Sequence, residues 1–259
     1  MQEPILPAVR QPERLGVILE ELSSNGSVAV ADLSPRLNVS PATVRRDLGL
    51  LEEQRLLSRT HGGAVAQGVL YELPLRYKAT RHREEKRRIA LEAARRVSDG
   101  MAIGLTGGTT TTDVARALLE RQRLTVVTNA LNIAGELAVR PNIKLVVTGG
   151  MARSESYELV GPLAEQSLGE LHLDVVFVGV DGISSAEGLT THHEVEAHTN
   201  RALIERATRA IVVADGSKLG ATAFARICPS SAVDELITAG ADPGAVASLR
   251  EAGLSVTVV

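Results

Sequence analysis

Two strings in this 259-residue chain hold residue types that can do binding chemistry. The first is Thr106-Gly107-Gly108-Thr109-Thr110-Thr111-Thr112, which follows a short apolar run and leads into a helical pattern. Glycine lets the backbone approach an anion, and threonine hydroxyls together with helix-start N–H groups donate to it. That is the chemistry of a phosphate cradle. No Gly-Lys-Ser/Thr follows, which excludes a Walker A loop, and the Gly-x-Gly-x-x-Gly spacing of dinucleotide sites is missing. A tight strand-to-helix turn without a ligand would use the same residue types.

The second string is Ser40-Pro41-Ala42-Thr43-Val44-Arg45-Arg46-Asp47-Leu48. Ser40 is a good helix N-cap and Pro41 fits the first turn. Val44, Leu48 and Leu51 form one apolar stripe. Ala42, Thr43, Arg45 and Arg46 fall on other faces near the helix start, where a recognition helix presents side chains to base edges. Arginine bridges a guanine edge or holds a phosphate, and threonine does either more weakly. Asp47 would repel phosphate and is expected to orient an arginine. A helix with two solvated arginines is the plain alternative.

Small polar residues recur where other apolar runs end: Thr128-Asn129, Thr148-Gly149-Gly150, Asp181-Gly182 and Asp215-Gly216-Ser217-Lys218. Several such ends side by side make one shared pocket. Lys218, one of four lysines, can hold a phosphate as a point charge. His192-His193-Glu194 invites a metal, but adjacent histidines point different ways and no further ligand cluster accompanies them. A hydrogen-bonding role is expected for them, and Glu194 is a candidate for the pocket. No metal and no cofactor is expected.

Composition narrows the choice. The formal net charge is −3, so DNA contact must come from a local basic patch rather than the whole surface. Aromatic residues make up 2% and tryptophan is absent, which leaves no aromatic platform for stacking a sugar. Cys228 is the one cysteine and reads as a buried, inert thiol. The N-terminal residues lack the basic-then-apolar pattern of a signal peptide, and no apolar run reaches the ~20 residues of a membrane span. A cytoplasmic protein is expected.

The elements that must position these strings follow from periodicity. Residues 1–10 read as a loose tail. Pro12 starts a helix whose Leu15, Ile18, Leu19 and Leu22 share a face, and Ser23-Ser24-Asn25-Gly26 ends it. A second helix falls within Ala29–Leu37, with Pro35 awkward inside it. After the Ser40 helix, two extended runs flank a glycine turn in Leu56–Val65, placing Arg59 and His61 on a wing near the DNA backbone or minor groove. Residues 76–96 are basic, and Ile89, Ala90, Ala93, Ala94 and Val97 give them an apolar face. A helix docking on the following domain suits them better than a phosphate-binding tail. Beyond residue 100, runs at Met101–Leu105, Leu124–Val127, Ile143–Val147, Val175–Val180, Ala210–Ala214, Leu236–Thr238 and Leu254–Val259 alternate with helical stretches such as Asp113–Glu120, Ala130–Val139 and Glu194–Ala207. That alternation implies an open, mainly parallel α/β sheet covered on both faces, with ligand at the carboxyl ends of its strands.

The strings Val39-Ser40, Thr43-Val44-Arg45-Arg46-Asp47-Leu48, Leu51-Glu52 and Arg59-Thr60-His61-Gly62-Gly63-Ala64 resemble the N-terminal domain of the DeoR family of repressors. GGTTTTDVA, VVTNALNIA, VVTGG, LVGPLAE, VFVGVDGIS and VADGSKLG resemble the effector domain of the same family. The resemblance implies a winged helix-turn-helix over 11–68, a connecting segment over 69–96 and an α/β effector domain over 97–259, the last similar in fold to ribose-5-phosphate isomerase. It implies DNA contacts from Ser40, Ala42, Thr43, Arg45, Arg46, Arg59 and His61. It implies an effector pocket of Gly107, Gly108, Thr109, Thr110, Asn129, Gly149, Gly150, Asp181 and Lys218 that takes a phosphorylated sugar or a related metabolite. The implied partners are double-stranded operator DNA and a second copy of the chain, as dimer or tetramer. Thr106 stands where the family commonly has Asp, Asn200 where it often has Lys, and Ala239 where it commonly has Asp. Those exchanges alter which ligand fits. Pro35 and Leu56-Leu57 depart only in local geometry.

An isomerase carrying an added DNA-binding domain is the rival. Enolisation needs a placed general base and an oxyanion stabiliser. The isomerase has an Asp-Gly-Ala-Asp-Glu run and a Lys-Gly-Gly-Gly segment. Here only Asp181-Gly182 remains, followed by Ile183-Ser184-Ser185. A regulator, not an enzyme, is expected.

Overall fold

The computed structural model describes residues 10–66 and 73–259, the side chains of Ser23 and Ser24 excepted. The tail expected over 1–10 lies outside the described residues apart from Arg10, as does the domain end expected at 68. The chain forms two units, Met1–Arg81 and His82–Val259.

The first unit runs α1 (Gln11–Asn25), β1 (Ser27–Ala29), α2 (Val30–Arg36), α3 (Pro41–Glu53), β2 (Leu57–Arg59), β3 (Gly63–Ala66) and α4 (Leu75–Lys78). The apolar stripe of α1 is buried, and Gly26 ends the helix at φ 72 with its N–H on Leu22 O, a left-handed cap that glycine adopts without strain. α2 contains Pro35. Proline there deletes one bond to the carbonyl of Ala31, and because Ala31 is exposed, water can take the freed acceptor. Leu33 and Leu37 still reach the core formed by α1 and α3. The strands form an antiparallel sheet in the order β1-β3-β2. Gly63 is obligatory at its centre: a Cβ there would lie 1.9 Å from Val28 O.

The second unit begins with α5 (Arg83–Ala94), whose Ile89, Ala90, Ala93 and Ala94 lie in the sheet core. The first half continues as β4 (Ala102–Leu105), α6 (Thr109–Ala117), β5 (Leu124–Thr128), α7 (Leu131–Leu137), β6 (Ile143–Val147), β7 (Met151–Ala152), β8 (Leu159–Val160) and α8 (Pro162–Leu168). The second half is β9 (Val175–Val178), β10 (Gly182–Ser184), β11 (Gly188–Thr191), α9 (Glu194–Glu205), β12 (Ala210–Asp215), β13 (Ala225–Cys228), β14 (Glu235–Ala239), α10 (Pro243–Glu251) and β15 (Ser255–Val258).

Seven strands form a parallel sheet ordered β15-β14-β12-β9-β4-β5-β6. Alternate residues of β9 serve opposite faces. Val175 and Phe177 join the core under α5 and α6, while Val176 and Val178 join the core under α9 and α10. Such two-sided burial explains why the strands read as continuous apolar runs. The chain winds outward from β4 to β6, then returns to β9 on the other side of β4. The topological switch point, where ligands settle in such folds, therefore lies between β4 and β9. Two antiparallel additions were invisible in the pattern: the β7–β8 hairpin and a small sheet ordered β10-β11-β13. No helix among the described residues is long and apolar enough to cross a membrane.

Candidate functional site

The first candidate surface is the start of α3 and the β2–β3 wing. Ser40 caps α3, accepting from Thr43 N at 3.2 Å, and its hydroxyl lies 3.0 Å from Thr43 Oγ1. The two hydroxyls are thus held together at the helix start, with Ala42 exposed beside them. Arg45 and Arg46 are exposed, and among the described residues neither has a hydrogen-bond or ion-pair partner. Val44, Leu48 and Leu51 are buried beneath them. Asp47, expected to orient an arginine, does so across the fold rather than along the helix. Its carboxylate is fully buried and holds Arg14 of α1, Nε to Oδ2 at 2.7 Å and Nη2 to Oδ1 at 3.2 Å. That bidentate pair ties α3 to α1 and leaves Arg45 and Arg46 free. The wing turns at Thr60–Gly62, with Thr60 N donating to Gly63 O at 3.0 Å. His61 is exposed at its tip. Arg59 sits lower: its backbone N–H donates to Glu52 Oε1 at 2.9 Å and its guanidinium is 3.8 Å from Glu52 Oε2. It leans along the C-terminal half of α3, away from the tip.

The second candidate site is at the switch point of the second unit. Sequence periodicity predicts a helix from Asp113, yet α6 begins at Thr109. Gly108 precedes it at φ 130, and the hydroxyls of Thr111 and Thr112 bond back to Gly108 O at 3.0 and 2.6 Å. The two hydroxyls bond back to the preceding turn and leave the free N–H groups of the helix start uncapped. The hydroxyls of Thr109 and Thr110 have no partner among the described residues. The first amides of any helix lack an internal acceptor, which leaves those at Gly108, Thr109 and Thr110 available.

Thr106 does not face this loop's open side. It is fully buried, donates to Gly107 O at 3.2 Å and accepts from Gly179 N at 2.9 Å. A hydroxyl can do both at once and an ionised carboxylate cannot. The expectation that Thr106 alters ligand fit is therefore replaced by a structural role: it stitches the β4 loop to the β9 loop.

Gly107 is where sequence reasoning missed most. Its N–H donates to Glu158 Oε1 at 2.9 Å, and a Cβ at this position would stand 2.3 Å from Glu158 Cγ. Asn129, fully buried, donates through Nδ2 to the same oxygen at 3.1 Å, while its Oδ1 has no partner. Glu158 lies between β7 and β8. Its segment is pinned by Leu131 N to Tyr157 O at 2.9 Å and Leu159 N to Asn129 O at 2.7 Å. Glu196 of α9 shares a hydrogen bond with Glu158. Burial first, then the Glu196 charge and that shared bond, hold the Glu158 carboxyl well above the usual carboxylate range, against the Gly107 amide and Asn129. Two like charges out of water favour a retained proton. Glu196 is in turn paired with the Arg153 guanidinium and lies 2.6 Å from Thr191 Oγ1. The single proton of Thr191 points to that nearer oxygen, although Asp181 Oδ2 is also within 3.2 Å. Asp181 Oδ1 is 3.6 Å from Lys218 Nζ and 3.9 Å from His192 Nε2.

The structure therefore gathers Gly107, Asn129, Glu158 and Glu196 into one cluster, which Thr191 links to Asp181 and Lys218. It does not join every expected residue to it. At Gly150, φ 126, a Cβ would lie 2.7 Å from Val160 O, whereas at the exposed Gly149 a Cβ would come no nearer than 3.6 Å to Leu163 O. Glu194 is exposed, and Glu196 two positions on takes the buried place. His193 caps α9, accepting from Val195 N at 3.3 Å. Among the described residues, no three His, Cys, Asp or Glu side chains are grouped to hold a metal. Cys228 is buried and burial pushes its thiol up to about 11. Glu158, Glu196 and Arg153 escaped the sequence because none closes a strand of the main sheet, and Gly107 and Glu158 are 51 positions apart.

The DeoR C-terminal sensor domain matches residues 81–239, and the DeoR-like helix-turn-helix domain matches residues 14–68. The chain belongs to the DeoR family. Its similarity to curated relatives runs nearly end to end. A putative aga operon transcriptional repressor of Escherichia coli O157:H7 is 36% identical over 251 residues, 95% of this chain and 93% of the relative. The glycerol-3-phosphate regulon repressor of E. coli K12 is 34% identical over 238 residues, 92% and 94% of the two chains. Among solved structures, ribose 5-phosphate isomerase A of Methanocaldococcus jannaschii is 24% identical at a TM-score of 0.39, covering 52% of this chain and 54% of that one. A likeness that slight carries no argument. The helix-turn-helix match places α2 and α3 in a DNA-binding domain, and the sensor match takes in α5, which lies in the second unit's core.

Proposed function

We propose that this DeoR-family chain is a repressor of a carbohydrate operon, released or retained by a phosphorylated sugar or related metabolite bound in its second unit. The observation that carries the reading is the contrast in charge pairing at α3. Asp47, the one acid in the first half of the helix, is spent on Arg14, so Arg45 and Arg46 face solvent with no partner among the described residues. Unpaired arginines on the exposed start of a capped helix, beside a wing, suit the major groove and the adjoining phosphates. Ser40, Ala42, Thr43 and His61 share that surface, and Arg59 supports it from the wing's base.

In the second unit, the free amides and hydroxyls at Gly108, Thr109 and Thr110 suit a phosphate, and Lys218, held by Asp181, suits the ligand's far side. The names of the relatives, among them the glycerol-3-phosphate regulon repressor, support a phosphorylated metabolite. A regulator also fits better than an isomerase. Asp181 is paired with Lys218, and Glu158 is held by Gly107 and Asn129, so neither stands free as a base. We propose a homo-oligomer that sets two copies of α3 on repeated half-sites, in which ligand changes their spacing through a difference in affinity between two arrangements.

Fluorescence anisotropy on the DNA flanking the chain's own gene, with a panel of sugar phosphates, tests this. Salt-sensitive binding that one compound reverses is the expected result. DNA binding that no phosphorylated compound alters removes the effector assignment, and isomerase turnover of a pentose phosphate removes the non-enzymatic one.

A further inference from the structure

The loop after β4 looks like a cradle with four successive amides, from Gly107 to Thr110, yet one of them is already taken. Glu158 Oε1 accepts from Gly107 N at 2.9 Å. The contact is built into the packing, since the Glu158 side chain fills the space that a Cβ on Gly107 would need. It is also built into the backbone: Glu158 forms a bridge with Ala130 and sits between two segment bonds to the end of β5 and the start of α7. Asn129 completes the seat with its Nδ2. The oxygen of Glu158 thus stands where an oxygen of a bound anion would stand to touch Gly107. Beside it, Asn129 Oδ1 is buried without a partner, an acceptor that repels an anion and welcomes a hydroxyl.

We propose that Glu158 is a specificity-determining residue of the effector site: it denies Gly107 to the ligand's anionic group, which is bound by the amides of Gly108, Thr109 and Thr110 alone. The inference rests on the effector site proposed above. It names the ligand's form there as a single anionic group followed by hydroxyls, since a second anion near Gly107 would meet a carboxyl oxygen. Removing the side chain frees the amide and raises the site's affinity for a simple anion.

The test is titration calorimetry of inorganic phosphate into the full chain at fixed ionic strength, for the parent, Glu158→Ala, Glu158→Asp and Glu158→Gln. Aspartate keeps the carboxyl but is one methylene too short to reach Gly107, so it serves should alanine fail to fold. The DNA-binding unit is common to all four, so differences between them belong to this loop. We expect Glu158→Ala and Glu158→Asp to bind phosphate about tenfold or more tightly than the parent, the worth of one amide bond to an anion. Glu158→Gln, whose amide oxygen still accepts from Gly107, should stay within about threefold of the parent, less than one such bond is worth. Folded Glu158→Ala or Glu158→Asp chains that bind like a phosphate-binding parent overturn the role of Glu158 and leave the effector site standing. Phosphate bound by none of the four overturns the site itself, and this inference with it.

Discussion

The two candidate surfaces treat their polar residues in opposite ways. On α3, Arg45 and Arg46 are exposed and unpartnered among the described residues. At the switch point of the second unit, the charged groups are paired with others from distant parts of the chain: Glu196 with Arg153, Lys218 with Asp181, and the Glu158 carboxyl with the Gly107 amide. Under the proposed function, the difference follows from the partner each surface would meet. A long, uniformly charged duplex is met by side chains left free in water, and screening keeps their unpaired charge cheap. A small ligand would be met by buried groups, and unpaired charge is expensive there, so charged side chains are paired.

The largest effect should come from the buried Arg14–Asp47 pair of the first unit. Asp47→Ala removes the bidentate carboxylate that the buried Arg14 guanidinium is bound to, and should destabilise that unit by about 3–5 kcal/mol in denaturant unfolding. A loss under about 1 kcal/mol, the worth of an exposed pair, would show that Arg14 reaches water. Next come the free arginines. Arg45→Ala and Arg46→Ala should each weaken operator binding by about 1–3 kcal/mol while shifting stability by no more than about 0.5 kcal/mol. Loss of stability instead of affinity would reverse the contrast between the two surfaces.

The smallest effect concerns pH. Glu158 has a carboxyl raised in the folded state by burial and by Glu196, so folding holds its proton more tightly than the unfolded chain does. Its contribution is complete below the ordinary carboxylate value of 4.5 and fades as pH rises toward the raised one. Glu158→Gln should flatten that decline in thermal unfolding of the second unit between pH 4.5 and neutrality. An unchanged slope would place the titration elsewhere.

Much of the DNA-facing surface could be read from the chain alone. The Ser40 cap, the Val44–Leu48–Leu51 stripe and the exposed arginines are local facts of a 3.6-residue period. Even so, the partner of Asp47 was beyond reach, because Arg14 lies 33 positions away. The sheet was equally legible, since buried parallel strands are short apolar runs between helices. The pocket was half legible. Glycines and threonines at strand ends marked the loop, but Gly150 carries the same mark and is also required by close packing against β8. Thr106 looked like a lost acid and proved to be a two-way hydrogen bond between neighbouring loops.

By itself, the sequence determined the family, the two domain types and the strands of the main sheet, because propensity, capping and hydrophobic period act over a few residues. Only the tertiary structure decided what those residues face. Strand order set β9 beside β4, and a hairpin absent from the pattern carried Glu158 back to Gly107. Contacts between segments tens of residues apart depend on topology, which no local period encodes, and those contacts settle which amides of the loop remain open to a ligand.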